Sequence, residues 1–300
     1  MPRFHLPVFI LSFVLFAMPV FAQSSAESPA PDLAKGAELR MMAFNIWGDY
    51  FGNPPHEREG QILAVIQRFH PDLLALQEVT PNWWKSPLFA ELKKANFANI
   101  CTEKDGKNNF VPLLYRQDRL ELLESGFELY HEQLDRTKGF TYGVFKDRKT
   151  GKRFIAFSTH FMYKEGPEFD QVRVQNADHV CRRMAELQKK WDCPALGGGD
   201  INCNVSEPAH KRMAESGFIS AQEVAQTASP ERSRHGDPVR GDDGKYHGTL
   251  APEENEKAFS IDHIFVEPQK IQVQVERVVL DQDALDASDH SPIFIDFSLK

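Results

Sequence analysis

The sequence contains few cysteines, and none of them is arranged as a structural zinc site requires. The four are Cys101, Cys181, Cys193 and Cys203. Structural zinc sites use C-x-x-C pairs or tight Cys/His clusters, and the cysteine spacings form neither. A structural zinc ion is therefore not expected. Free buried thiols and a single disulfide both stay open, because connectivity cannot be read from spacing.

A long hydrophobic run is absent after the first residues of the chain. Arg3 precedes an apolar run from Leu6 to Met18, and Val20-Phe21-Ala22 fits a signal peptidase site before Gln23. The run is shorter than the roughly 20 residues of a membrane-spanning helix, so cleavage is favoured over an uncleaved anchor. No cysteine follows it, which argues against a lipid anchor. We expect residues 1–22 to be a signal peptide and the mature protein to be secreted or periplasmic, without a transmembrane segment.

The sequence has fewer basic than acidic residues: 35 Lys and Arg against 43 Asp and Glu, which gives a formal net charge of −8. Removal of Arg3 with the signal peptide changes this value of −8 to −9. A broad basic surface that collects phosphates is thereby excluded. A nucleic-acid substrate is not excluded, because a divalent metal ion in the site can neutralise phosphate locally.

No internal repeat or second linker divides the bulk of the chain. Residues 23–37 are rich in Ser, Ala, Pro and Glu, a composition that buries too little apolar surface to fold alone, and we predict a flexible tether there. Residues 38–300 are predicted to form a single domain. This length is long for one core but ordinary for a layered α/β enzyme.

Two familiar phosphate-handling signatures are missing. Gly197-Gly198-Gly199 lacks the Lys and Ser/Thr of a nucleotide-binding P-loop, so we interpret the glycines as close packing beside Asp200. The Asp-x-His, Gly-Asp-x-x-Asp and Gly-Asn-His blocks of two-metal metallophosphoesterases do not occur. That class of enzyme is therefore disfavoured.

Short apolar runs separated by turn residues predict a series of strands. The predicted strands cover residues 39–44, 73–76, 110–115, 120–130, 140–145, 154–159, 195–199, 259–266, 271–280 and 292–297. Apolar residues at helical spacing predict helices over 62–69, 83–94 and 169–191. In the strand from 271, apolar residues alternate with Gln272, Gln274 and Glu276, which predicts one packed and one solvent-facing side. Two sheets packed face to face with helices outside accommodate this inventory, so the expected fold class is α/β.

Polar residues capable of chemistry repeatedly lie at the ends of these strands. They are Asn45, Glu78, His160, Asp200, Asp289 and His290. Any one of them is more easily explained as a turn or cap residue. Together they fit one reaction, because they offer oxygen ligands for Mg²⁺, a carboxylate base and a histidine. If these strand ends share one edge, the side chains converge into a single polar cavity.

Six short motifs occur in an order that resembles the endonuclease/exonuclease/phosphatase superfamily. They are Phe44-Asn45-Ile46-Trp47-Gly48, Leu76-Gln77-Glu78-Val79, Ser158-Thr159-His160, Gly199-Asp200-Ile201-Asn202, Ser260-Ile261-Asp262-His263-Ile264-Phe265 and Ser288-Asp289-His290-Ser291-Pro292. Each motif is short, but all six in order over residues 39–297 make the resemblance specific. It implies a four-layer α-β-β-α sandwich with two packed mixed, largely antiparallel sheets.

The resemblance also implies a role for each motif residue. Glu78 would bind Mg²⁺, or Mn²⁺ in its place, with Asn45 and Asp289 helping to form the metal and phosphate site. Asp200 would activate the attacking water.

On the same grounds, Asn202 would orient that water or a phosphate oxygen. Asp262 would hold the ring of His290 so that His290 donates to the scissile phosphate. His160 would contact the phosphate from the opposite wall.

The chain departs from the repair nucleases of the superfamily at Trp47, where those enzymes carry an acidic residue. The Asn-x-Trp-Gly pattern is more similar to the branch that holds sphingomyelinases and phosphodiesterases. An abasic-site repair function is therefore not expected. One tightly held metal ion is expected, because the acidic residue that the repair nucleases have at this position is missing.

Several further residues carry weaker expectations. Arg173 and Asn176 are candidate substrate-binding residues, or they only brace the loop after His160. Residues 229–249 form a long segment without predicted structure, which suggests a substrate lid, and Arg240 and His247 within it are candidate substrate contacts. An aromatic pair at 83–84 is interpreted as packing rather than as a cleft wall.

The sequence therefore predicts a secreted Mg²⁺-dependent phosphodiesterase or phosphatase, most simply a monomer. Its partner would be a phosphoester substrate: a small molecule, a nucleic acid or a phospholipid headgroup. A secreted nuclease and a sphingomyelinase-like phospholipid hydrolase are the alternatives that share this mechanism. A binding module without activity is disfavoured, because Glu78, Asp200 and His290 are all retained.

Overall fold

A computed structural model describes residues 31–104, 106–250 and 260–300. The predicted signal peptide lies outside the described residues, and so do residues 23–30 of the predicted tether. The first residue of the strand predicted at 259–266 lies outside them as well.

The described ranges contain sixteen strands, of which ten correspond to predicted strands. They are β1 (Leu39–Asn45), β2 (Leu73–Gln77), β3 (Phe97–Asn99), β4 (Glu103–Lys104), β5 (Lys107–Asn108), β6 (Leu113–Arg116), β7 (Leu120–His131), β8 (Asp135–Asp147), β9 (Arg153–His160), β10 (Ala195–Asp200), β11 (Ile219–Ser220), β12 (Val239–Arg240), β13 (Tyr246–His247), β14 (Asp262–Val266), β15 (Ile271–Val278) and β16 (Ile293–Leu299). The apolar runs identified the strands of four or more residues. The strands that were not predicted, β3, β4, β5, β11, β12 and β13, are only two or three residues long.

The α-helices are α1 (Glu59–Phe69), α2 (Pro81–Lys85), α3 (Pro87–Lys94), α4 (Pro167–Trp191), α5 (Pro208–Glu215), α6 (Ala221–Val224) and α7 (Gln282–Ala287). Short 3-10 turns occupy Asp49–Phe51 and Pro55–Glu57. The single helix predicted over 83–94 is two helices. Ser86 is extended with ψ 156° because it precedes Pro87, and a residue before proline disfavours the helical conformation.

Two six-stranded sheets carry the fold, and both are mixed but largely antiparallel. The first has the order β15-β16-β1-β2-β6-β3, and the second has the order β11-β14-β10-β9-β8-β7. The parallel pairs are β1 with β2 and β9 with β10, while the other neighbours within these two sheets run antiparallel.

Three apolar clusters show how the layers stack. One lies between the sheets and joins residues such as Met41 and Ile295 to Phe154 and Leu196. A second packs α4 and α5 on the outer face of the second sheet, and a third packs α1, α3 and α7 on the outer face of the first. The chain is thus a four-layer α-β-β-α sandwich, which confirms the expected fold class.

Glycines at 197–199 allow the second sheet to approach its surroundings closely, as the sequence indicated. A Cβ atom on Gly198 would lie 1.8 Å from the His263 carbonyl oxygen, and one on Gly199 would lie 2.4 Å from Gln77 Nε2. Gln77 belongs to the first sheet, so the missing side chain at Gly199 makes room where the two sheets meet. The interpretation of these glycines as close packing is confirmed.

The expectation of a solvent-facing side on β15 is wrong for two residues. Gln272 is exposed, but Gln274 and Glu276 are each only 5 % exposed. A bulge between Val273 and Val275 shifts the register, and residues 226–229 pair their backbone with the strand and cover it. Burial raises the pKa of Glu276 to about 7.

The end of the predicted tether is held against the domain. Arg40 donates to the Pro31 and Asp32 carbonyls and pairs with Asp296 at 2.6 Å, and the Ala34 amide donates to the same carboxylate. Both charged side chains of this pair are 3 % exposed, so the pair is a buried anchor for residues 31–37.

The four cysteines are free thiols, which settles the choice between thiols and a disulfide in this structure. None of the helices in the described ranges has the length and apolar character needed to cross a bilayer.

Candidate active site

The first two site residues leave parallel strands at the same edge. In the register of β1 and β2, Asn45 lies opposite Gln77, and Glu78 follows directly. Just beyond these strand ends the backbone turns into the left-handed region, with φ 55° at Trp47 and φ 63° at Glu78. Non-glycine residues in this region cost of order 1–3 kcal/mol, and such strain is concentrated at functional sites.

Three more site residues form a row across the second sheet. Asp200 lies opposite His160 on β9 and opposite Asp262 on β14. All three are at least 94 % buried, since none exceeds 6 % exposure. Asn202 follows in a left-handed turn with φ 49°, and its backbone amide donates to Asp200 at 2.9 Å.

The two sheets are joined through Asn45. Its Nδ2 donates to Asp200 Oδ2 at 3.0 Å and to Glu78 Oε1 at 3.3 Å. Ser288 Oγ donates to the Asn45 carbonyl at 2.7 Å, which ties the Asp289-His290 segment to the same point. The residues that the sequence placed at strand ends therefore do converge.

Asp262 and His290 make the contact that the family resemblance implies. His290 Nδ1 lies 2.7 Å from Asp262 Oδ2, which also accepts from Ser233 Oγ at 2.7 Å. Burial alone lowers the pKa of His290, but the charges of Asp262, Asp289 and Asp200 outweigh it and raise the pKa to about 10. His290 is consequently cationic near neutrality.

Asp200 is surrounded by positive or proton-bearing groups. His160 Nε2 is 3.3 Å from Asp200 Oδ2, and His290 Nε2 is 3.8 Å from it. Burial raises the pKa of Asp200, but His160, His290 and Lys138 more than compensate and hold it well below its usual range. Asp200 is thus ionised near neutral pH, and it lies on the cavity wall.

The oxygen atoms of Glu78 and Asp289 fit a hard divalent cation. Burial raises the pKa of Asp289, and the nearby Glu78 carboxylate adds to the rise. Asp289 is buried and Glu78 is half-buried, and a shared cation would relieve the repulsion between their carboxylates. Carboxylate and amide oxygens are the ligands that Mg²⁺ prefers.

Asp200, Asp262 and His290 also lie close enough to hold a metal ion. However, the Asp262 oxygen nearest to His290 already accepts two hydrogen bonds. The residues of the chain therefore fit the cation better on the Glu78 side of the cavity.

A cavity of about 650 Å³ opens above these groups. It is lined by Glu78, Lys138, His160, Asp200, Asn202, Arg234, Asp289 and His290, together with aromatic and further acidic residues. A second cavity of about 800 Å³ shares Tyr163, Asn202, Arg234, Asp237 and Ile261 with the first, so the two form one continuous groove.

Sequence reasoning missed Lys138, Ser233 and Arg234. Lys138 lies just before the apolar part of β8, and only the register of Gly139 opposite His160 reveals that it reaches the site. Arg234 donates to the Asp289 carbonyl at 2.8 Å and lies 3.1 Å from the Asp289 carboxylate. Ser233 and Arg234 fall within the predicted lid, where the polar composition gave no reason to single them out.

The predicted lid is partly ordered, because β12 and β13 form a two-stranded ribbon inside it. Arg240 on this ribbon pairs with Glu57, and His247 pairs with Asp243, and neither lines the groove. The segment touches the site through Ser233 and Arg234 instead.

Arg173 and Asn176 hold the loop that follows His160. Arg173 donates to the Met162 and Lys164 carbonyls at 3.0 and 2.7 Å, and Asn176 accepts from the Met162 amide at 3.2 Å. Arg173 also lines the second cavity. These contacts agree with the bracing role that the sequence left open.

The aromatic pair at 83–84 is packing, as interpreted. Trp83 is fully buried with the Arg58 guanidinium 5.2 Å from its ring, and Trp84 stacks on Phe89 at 4.2 Å.

Comparison of the sequence with protein families identifies the class of this protein, the metal-dependent hydrolases of phosphoric ester bonds. The profile of the Endonuclease/Exonuclease/phosphatase family matches residues 42–290. The chain belongs to this family. A search of curated proteins found no match.

Solved structures share the fold over nearly their whole length. An endonuclease/exonuclease/phosphatase from Bacteroides vulgatus is 25 % identical with a TM-score of 0.72, covering 87 % of this chain and 99 % of that one. The human Nocturnin catalytic domain is 19 % identical, with a TM-score of 0.68 and coverage of 90 % and 96 %. A mannosyl-6-phosphatase from Bacteroides thetaiotaomicron is 21 % identical, with a TM-score of 0.66 and coverage of 87 % and 100 %.

The Asp262–His290 contact leads to a testable pH dependence. His290 is cationic below its pKa, and Asp262 contributes to the rise of that pKa to about 10. Asp262→Asn removes the negative charge, so the cationic form should be lost at lower pH. We expect the descending limb of kcat against pH to move down by about one pH unit or more, the size typical of a lost ion pair.

The fold should survive this substitution, because Asn can still accept a hydrogen bond from the ring, and circular dichroism checks it. A pH profile that superimposes on that of the unaltered enzyme would mean that Asp262 only supports the structure.

Proposed function

We propose that this chain is an exported Mg²⁺-dependent phosphoester hydrolase in which a water molecule activated by Asp200 attacks phosphorus directly. The observation that carries the proposal is the convergence of both sheets on one cavity, where Asn45 contacts Glu78 and Asp200 together. Glu78, on the first sheet, can bind a metal ion, and Asp200, on the second sheet, can activate water.

Glu78, with Asn45 and Asp289 beside it, would hold the divalent ion, which when bound supplies stabilisation of negative charge on the phosphoryl oxygens. Asp200 faces the same cavity as an ionised carboxylate, so it can accept a hydrogen bond from water and take its proton as the new bond forms. No side chain has to act as a nucleophile.

His290, which lies beside Asp200, can stabilise the charge that grows on phosphate. His290 is held by Asp262 through Nδ1, so its Nε2 is free to donate toward the cavity. Preorganised donors of this kind act strongly in a buried site, because they need no reorientation during the reaction. Asn202 and His160 would position the water and the phosphate in the cavity beside these two groups.

The charge of the groove favours a small phosphoester over a nucleic-acid strand. Asp135 and Asp237 line the main cavity, and Glu165 and Glu207 line its extension. A polyanion laid along these carboxylates would be repelled, whereas one phosphate at the catalytic centre meets Lys138 and His290. A mannosyl-6-phosphatase is among the proteins of similar fold, and it acts on a small substrate of this kind.

Export is a separate part of the proposal, and it rests on the N-terminal sequence. The basic start, the apolar run and the small residue at Ala22 together match a cleavable signal. Expression of the full chain in an exporting host should yield a mature protein that begins at Gln23. N-terminal sequencing that recovers an intact residue 1 from the exported fraction would contradict cleavage.

Activity against a panel of phosphoesters tests the catalytic proposal. The panel holds p-nitrophenyl phosphate, bis-(p-nitrophenyl) phosphate, DNA, RNA and sphingomyelin, each assayed with Mg²⁺, with Mn²⁺ and with EDTA. We expect turnover of a small ester that EDTA abolishes and Mg²⁺ or Mn²⁺ restores, because oxygen ligands select hard ions. Full activity after exhaustive chelation would contradict the metal requirement, and preferred cleavage of DNA or sphingomyelin would favour one of the alternative substrates.

A further inference from the structure

We propose that Lys138 binds a non-bridging phosphate oxygen and makes this site prefer phosphomonoesters over phosphodiesters. The inference rests on the proposed function, since it names the kind of ester that the same site takes.

Lys138 lies in the wall of the catalytic cavity although it is 5 % exposed. Its Nζ is 2.8 Å from His160 Nε2 and 5.2 Å from the centre of the Tyr163 ring. The same cavity contains Glu78 and Asp200, so an ester that reacts there comes within reach of the ammonium group.

The sheet register fixes this position. Lys138 precedes Gly139, which lies opposite His160 in the antiparallel pair of β8 and β9. A Cβ on Gly139 would lie 2.4 Å from the Glu128 carbonyl oxygen of β7, so the close approach of these strands depends on the glycine. Lys138 thus extends from a strand that is paired on both sides, and its place does not depend on a loop.

The charge of Lys138 is not matched by a carboxylate in direct contact. Among the described residues, its hydrogen-bond partner is the ring of His160. An ammonium group only donates hydrogen bonds, so this contact does not neutralise the positive charge of Lys138. Arg234, the other fixed cation of the cavity, already pairs with Asp237 and Asp289.

Burying a cation without a contacting anion costs free energy. A substrate anion that pairs with Lys138 removes this cost and therefore binds more tightly. Burial lowers the pKa of Lys138, whereas the charges of Glu78, Asp200 and Asp135 favour its ammonium form, and a bound phosphate would favour it further.

The number of phosphate oxygens then decides which ester benefits. A phosphomonoester has three non-bridging oxygens and carries up to two negative charges, whereas a diester has two such oxygens and one charge. His290 and the divalent ion suffice for a diester. The additional oxygen and charge of a monoester are what Lys138 can bind, through a charge-assisted hydrogen bond.

The test compares p-nitrophenyl phosphate with bis-(p-nitrophenyl) phosphate, which share a leaving group. Three variants are compared with the unaltered enzyme: Lys138→Met removes the charge, Lys138→Arg keeps it, and Lys164→Met removes one charge from an exposed lysine next to Tyr163, which lines the same cavity. Circular dichroism and thermal unfolding report on folding, and Lys138→Gln replaces the Met variant if that variant does not fold.

We expect Lys138→Met to lower kcat/KM for the monoester, mainly through KM, by at least about tenfold more than for the diester, the size of a lost charge-assisted hydrogen bond. Competitive inhibition by inorganic phosphate should weaken in parallel. Lys138→Arg should restore most of the monoester preference, and Lys164→Met should leave the ratio unchanged.

An equal fall for both esters, or no change in their ratio, would overturn the proposal for Lys138 while leaving the hydrolase proposal intact. If the unaltered enzyme cleaves neither ester nor any other member of the panel in Mg²⁺ or Mn²⁺, the proposed function itself fails. The two failures are therefore distinct.

Discussion

The hydrogen bond from Asn45 to Asp200 joins the two sheets at the edge where the catalytic cavity opens. Asn45 ends a strand of the first sheet and Asp200 ends a strand of the second, and their side chains meet at 3.0 Å. Without this contact the carboxylates of the two sheets would repel across the gap. The glycines before Asp200 permit the approach, because a side chain at Gly199 would collide with Gln77.

Burial of charge shapes the remainder of the site. Asp200 and His290 are almost fully enclosed, where an isolated charge would be unfavourable. Each is therefore surrounded by groups of the opposite sign, and the pKa of Asp200 falls while that of His290 rises. Asp262 plays this part for His290, and Ser233 holds Asp262 in turn. A ligand phosphate and a divalent ion would enter a cavity whose charges are already in place.

Sequence alone identified the residues whose position follows from strand ends and short motifs. Asn45, Glu78 and Asp200 follow apolar strands, and parallel strands bring their ends to one edge whatever the loops do. The sequence did not identify Lys138, because its position in the site depends on the register between β8 and β9. The order of apolar and polar residues along one strand does not specify that register. The burial of Glu276 was missed for a similar reason, since a bulge and a distant covering segment override the alternation of β15.

The most direct test of the account is the rate of Asp200→Asn with a cleaved small phosphoester in Mg²⁺. Asp192→Asn is its matched control, because it removes the same charge from an exposed position at the end of α4 with a φ of 49°, which Asn tolerates. We predict that kcat falls by at least about 10² in Asp200→Asn, as for a lost general base, while Asp192→Asn keeps the full rate and both variants stay folded. A near-normal rate in folded Asp200→Asn would place the catalytic base elsewhere and contradict the account.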